Sequence, residues 1–277
     1  MRAVSEREEF EHTGRFWLRR ALNGAALLAL DAAFTVSGRP GARVGINAAL
    51  MSVLGPGSAV GLRIHAILPN ARPVRVLAFD KTPDQNWGVP WHQDRVIAVD
   101  ARHDLPGYHN WSLKAGVWHC EPPSAVWDQM VFVRLHLDPA DAANGAMEIA
   151  PGSHRRGLIP AADAAQVASI EPAEVCDAAR GDILILKMLT LHRSSPATAP
   201  CPRRTFRLDV AAFELPKPLA WADQSGLKTH LTCARSKAGF NPLPFTDPVR
   251  NCSQPPVRRG YNPISGLRWS RPRIFPT

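Results

Sequence analysis

The chain has no apolar run long enough to cross a bilayer. Its most apolar early stretch, ALNGAALLALDAAF at 21–34, is cut by Asn23 and Asp31. It falls well short of the roughly 20 apolar residues that a spanning helix needs. The opening MRAVSEREEFEHTGRF is acid-rich and lacks the basic-then-apolar order of a secretory leader. A cytoplasmic protein with no membrane partner is expected. Cysteine is sparse: Cys120, Cys176, Cys201, Cys233 and Cys252 lie far apart, with no Cys-x-x-Cys pair. Such spacing suggests neither a zinc cluster nor a disulfide framework, and suits a reducing compartment. No internal repeat is apparent.

Negative charge is scarce in one region only. Residues 222–277 carry nine Lys or Arg against Asp223 and Asp247, which is +7 of the chain's net +9. Residues 1–221 are close to neutral and give no electrostatic reason to expect a nucleic-acid partner. The basic segment also holds eight Pro and four Gly, with no strand alternation and no helical face. A domain over 1–221 followed by a poorly ordered tail over 222–277 is therefore expected.

What remains is a chain of 277 residues, 45% hydrophobic and 21% charged, able to bury a sizeable core. Phe10, Phe16, Leu18 and Leu22 fit one amphipathic helix over EREEFEHTGRFWLRRAL, with acids early and Arg late. NGAALLALDAAFTVSG reads as a second helix, stopped by the turn residues Gly38 to Gly41. Residues 43–70 read loosely as helix and turn. From residue 73 short apolar runs alternate with Pro and Gly turns: PVRVLAF, DRVIAVD, MVFVRLHLD, AMEIAP, DILILKMLTLH and TFRLDVAAFEL. Six or more such strands without long intervening helices predict a mainly β fold, an antiparallel sandwich or barrel.

Within this pattern GVPWHQDRVIAV places His92 and Asp94 two residues apart. On a strand those side chains share a face, so an imidazole and a carboxylate converge. His192, at the end of GDILILKMLTLH, is the third candidate; Leu184, Leu186, Met188 and Thr190 share its face if this is one strand. Two imidazoles and one carboxylate leave three adjacent positions open on an octahedral iron. A metal-dependent hydrolase can use the same ligand types. Eleven residues past His192, Arg203 offers a guanidinium suited to a carboxylate of a dicarboxylate cosubstrate, and Ser194 offers a hydroxyl. Arg204 is a rival, because alternation puts it with Phe206, Leu208 and Val210, and pattern alone does not choose between the two. His136 reads as a packed strand residue and His154 as a loop residue.

The stretches LAFDKTPDQNWGVPWHQDRVIAVD, WSLKAGVWHCEPP, VFVRLHLDPADAANGAMEIAPGSHRRGLI and LTLHRSSPATAPCPRRTFRLDVAAFELP together resemble the bacterial phytanoyl-CoA dioxygenase family, over about residues 10–221. The resemblance implies a double-stranded β-helix (a cupin-like jelly roll) with N-terminal helices packed outside. It implies Fe(II)- and 2-oxoglutarate-dependent hydroxylation of a small molecule with O2, giving succinate and CO2. It matches His92, Asp94 and His192 to the metal ligands, and Arg203 and Ser194 to the 2-oxoglutarate site. Trp111, Lys114, Arg134 and Trp91 belong to the same stretches without an assigned role. A jelly-roll binder without turnover is the reading outside enzymology, and it has no use for three metal ligands and a cosubstrate arginine.

Overall fold

A computed structural model describes residues 5–35 and 41–222. The basic segment lies, from residue 223 on, outside the described residues, as do residues 38–40 of the turn expected to end the second helix.

Ser5 opens the first helix, α1 (Glu6–Thr13), with a capping box: its hydroxyl accepts from the Glu8 amide and the Glu8 carboxylate accepts from the Ser5 amide. The helix does not run on to Leu22 as its spacing predicts. Gly14 adopts a left-handed conformation (φ 77°) and its amide donates to the Phe10 carbonyl, which ends the helix. Arg15–Leu18 then form β1, whose Phe16 and Trp17 suit a strand better than a helix face. The second predicted helix is present as α2 (Gly24–Ala33), capped by Asn23, and 43–70 resolves into α3 (Ala48–Leu54) and α4 (Ala59–Ile67).

Among the described residues twelve further strands follow: β2 (Ala42–Arg43), β3 (Arg72–Lys81), β4 (Val89–His92), β5 (Ile97–Val99), β6 (His109–Lys114) and β7 (Val117–Glu121) come first. Then come β8 (Met130–His136), β9 (Met147–Ile149), β10 (Glu174–Val175), β11 (Ile183–Lys187), β12 (His192–Ser194) and β13 (Arg203–Ala211). All pairings between them are antiparallel. A six-stranded sheet has the order β1-β11-β8-β13-β3-β2, a four-stranded sheet β10-β9-β12-β4, and a three-stranded sheet β5-β7-β6. The expected mainly β, jelly-roll core is what the chain forms.

Strand alternation separates two apolar layers. Val131, Val133 and Leu135 of β8, with Phe206, Leu208 and Val210 of β13, pack beneath Leu30, Leu50 and Ile64 of the helices. The opposite faces of the six-stranded sheet contribute Met130, Phe132, Leu184 and Leu186 to a second cluster with Met147 and Ile149 of the four-stranded sheet. The helices thus cover one side of the large sheet, and the interior between the sheets lies on the other.

DILILKMLTLH does not make one strand. The Thr190 amide donates to the Lys187 carbonyl, turning the chain, so β11 and β12 belong to different sheets. His192 starts a new strand instead of ending the apolar one. Cys120 and Cys176 are buried free thiols. Among the described residues no single helix is long and apolar enough to cross a membrane.

Candidate metal centre

Strands β4 and β12 pair so that His92 stands opposite His192, their ring centroids 4.2 Å apart. Asp94 lies past the end of β4, so strand alternation alone does not aim it. Gln93 does. Its buried amide donates to the carbonyls of Leu189 (2.7 Å) and Gly157 (2.9 Å) and accepts from the Ile159 amide (2.9 Å). With Gln93 pinned on one side, His92 and Asp94 are presented on the other.

Each histidine has Nδ1 on a carbonyl two residues earlier: His92 on Pro90 at 2.8 Å, His192 on Thr190 at 2.9 Å. A carbonyl only accepts, so Nδ1 carries the hydrogen and Nε2 keeps its lone pair. Burial, and then His192, push the His92 pKa down, which favours the neutral imidazole. Burial pushes Asp94 up, but Arg207, His192 and His92 together hold it well below the usual carboxylate range. His192 Nε2 lies 3.1 Å from Asp94 Oδ2, and His92 Nε2 lies 4.0 Å from Asp94 Oδ1. One ligand atom from each residue falls within 4.8 Å of the others. Three lone-pair donors therefore face one another with no hydrogen between them, and a divalent cation is the group that fits.

The interior face of the large sheet is unusually cationic. Arg75, Lys81, Arg134, Arg203 and Arg207 alternate along β3, β8 and β13 with only Asp209 among them. Arg75 pairs with Asp209, and Arg207 with Asp209 and Asp94. Among the described residues Lys81, Arg134 and Arg203 have no carboxylate within ion-pair distance. Arg203 (6% exposed) donates to the Gly145 carbonyl at 2.8 Å, and its Nε has no partner. Lys81 (3% exposed), opposite Arg203 in register, donates to the Ser195 carbonyl at 2.8 Å and lies 3.4 Å from Ser194 Oγ. Ser194 Oγ donates to the same Gly145 carbonyl at 3.0 Å.

Gly145 makes this convergence possible. Its φ is +73°, and an added Cβ would stand 2.6 Å from Lys81 Nζ. Burial and then Arg203 push Lys81 down to about 8, and burial pushes Arg203 to about 10. Arg134 is pushed to about 9 by burial, then by Arg203 and Arg207. Buried cations with spare donors form a site for an anion.

The structure separates the two rival arginines. Arg204 points the other way and forms a two-point pair with Asp138 (2.8 Å each) and a contact with Asp31 (3.0 Å), so its guanidinium is already used. His92, Asp94 and His192 are brought together, and Arg203 and Ser194 meet one another at the Gly145 carbonyl. Lys114 is exposed on β6, Trp111 stacks edge-on with Trp118, and Trp91 lies under Arg193. His136 is buried in β8 and neither ring nitrogen has a partner; His154 sits in a short turn against the Glu11 carbonyl. Lys81, Gln93 and Arg207 were not anticipated as site residues. Lys81 had a signal, since alternation from Arg75 through Leu77 and Phe79 places it on the interior face.

The family model described as phytanoyl-CoA dioxygenase (PhyH) matches residues 53–205. A comparison with curated proteins finds no match. Among solved structures the chain resembles AviO1 from Streptomyces viridochromogenes Tue57, at 21% identity and a TM-score of 0.53, over 78% of this chain and 99% of that one. It resembles SnoK, a non-heme alpha ketoglutarate dependent carbocyclase from nogalamycin biosynthesis, at 14% identity and 0.53, over 85% and 93%. It also resembles HygX from Streptomyces hygroscopicus with nickel, 2-oxoglutarate and hygromycin B bound, at 14% and 0.51, over 76% and 86%. At these identities the likeness is one of fold.

Proposed function

The chain belongs to the phytanoyl-CoA dioxygenase family, and on that premise we propose that it is an Fe(II)- and 2-oxoglutarate-dependent hydroxylase of a small organic molecule. The observation that carries this reading is a group of three lone-pair donors beside buried cations on the facing sheet that, among the described residues, have no carboxylate partner, with Lys81 reaching Ser194 on the His192 strand. His92 and His192 would hold iron through Nε2, and Asp94 through a carboxylate oxygen. Arg203 and Lys81, with the Ser194 hydroxyl, would take the far carboxylate of 2-oxoglutarate. When bound, iron and the 2-oxo acid supply the oxidising chemistry: O2 is consumed, 2-oxoglutarate becomes succinate and CO2, and the second oxygen atom enters a substrate C–H bond. The chain's own part is to bind and orient the reactants.

Aerobic succinate production from 2-oxoglutarate, with and without candidate small molecules, tests the proposal. Succinate that depends on Fe(II) and vanishes in His192→Ala is the expected result. Metal-dependent hydrolysis of an ester or amide with no succinate would replace it.

A further inference from the structure

Asp94 ends a buried chain of alternating charge. Arg207 donates through one terminal nitrogen to Asp94 Oδ2 and through Nε to Asp209 Oδ1 at 3.1 Å. Asp209 Oδ2 in turn accepts from Arg75 Nε at 2.6 Å. Arg75, Asp209 and Arg207 are 7%, 2% and 6% exposed. The signs run plus, minus, plus, minus, so each inner charge is neutralised by its neighbours and the terminal minus is a metal ligand. The Arg207 guanidinium carbon also lies 4.4 Å from the Phe132 ring centre, and that ring lies 5.4 Å from the His192 ring. One side chain thus braces two of the three ligand residues. Arg207 and Asp209 both lie beyond residues 53–205, which the family model matches.

Resting on the iron-site reading above, we propose that Arg207 is a positioning residue for the metal. It donates to Asp94 Oδ2, the oxygen that faces His192 Nε2 at 3.1 Å, and so fixes the orientation in which the carboxylate is presented to the metal. Arg207 is held in that pose by Asp209, and Asp209 by Arg75. A core ion pair of purely structural value needs no such ending: Asp209 alone could satisfy Arg207, yet the guanidinium spans to the ligand. Partners that orient a ligand from behind typically change metal affinity by about 10–100-fold when removed.

Co(II) titration of the full-length chain tests this without turnover, reading both the dissociation constant and the visible ligand-field spectrum. Wild type, Arg207→Gln, Arg207→Lys and Asp209→Asn are compared, with circular dichroism as the check on folding. Arg207→Gln is expected to weaken Co(II) by about 10–100-fold and to shift the spectrum. Arg207→Lys keeps the charge but cannot fork between Asp94 and Asp209, and should fall between it and wild type. Asp209→Asn should move in the same direction by less. A folded Arg207→Gln chain with unchanged or tighter Co(II) binding and a wild-type spectrum overturns the proposal. Should Arg207→Gln fail to fold, unchanged affinity and spectrum in both other variants overturn it. A wild-type chain that binds no Co(II) overturns the iron-site reading and this inference with it.

Discussion

Raising the pH should loosen 2-oxoglutarate from the wild-type protein and leave its grip on a Lys81→Met variant nearly flat. Lys81 is buried beside Arg203 and, among the described residues, has no carboxylate partner; its pKa is pushed down to about 8. A carboxylate arriving at Ser194 and Arg203 favours the ammonium form, so the complex holds the Lys81 proton more tightly than the free protein does. Raising the pH past the free-protein pKa therefore favours release of the cosubstrate. An added ion pair of about 1.4 kcal/mol lifts the bound-state pKa by one unit. Affinity is then level below pH about 8, falls about tenfold through the next unit or so, and levels again. Lys81→Met keeps the length and the apolar stem without the charge. It should start about tenfold weaker at neutral pH and show no such step. Equilibrium dialysis of labelled 2-oxoglutarate against Mn(II)-loaded protein across this range reads both curves, and Mn(II) removes turnover from the measurement. Equal pH slopes in the two proteins would refute the assignment of Lys81 to the cosubstrate pocket.

Arg203→Ala should weaken 2-oxoglutarate by about 2–5 kcal/mol, roughly thirtyfold or more, while metal affinity measured by titration stays the same. Arg204→Ala should leave cosubstrate binding intact but lower the melting temperature, because Asp138 is left buried without its two-point partner. Gln93→Ala removes three hydrogen bonds and should cost roughly 3 kcal/mol in denaturant unfolding. Because Gln93 aims its neighbours, metal titration of that variant should weaken as well.

Residue type and spacing pointed to His92, Asp94 and His192, and the fold brings these three together as a group that could hold a metal ion. The route to that assembly was less legible. Alternation predicts that one strand aims both His92 and Asp94, yet the strand ends at His92 and the buried Gln93 amide does the aiming. β11 and β12 read as one apolar run because Met188, Leu189 and Leu191 are buried in the turn just as they would be in a strand. Hydrophobicity reports burial there and not direction. Gly14 could have signalled the end of α1, but the apolar spacing of Phe16, Leu18 and Leu22 outweighed it in a reading by helical period. Charged residues on a strand are ordinarily assigned to solvent, and for that reason Lys81 and Arg207 escaped notice. Alternation puts Lys81 on one face with Arg75, Leu77 and Phe79, and Arg207 on one face with Arg203 and Asp209, but only the sheet topology decides that these faces turn inward.

The central claim is that His92, Asp94 and His192 together bind one iron, and anaerobic Fe(II) titration followed by desalting and metal analysis tests it most directly. The wild-type chain should retain one iron per chain, while His92→Ala and His192→Ala, each checked for folding, should retain almost none. Full iron occupancy in both folded variants would contradict the account.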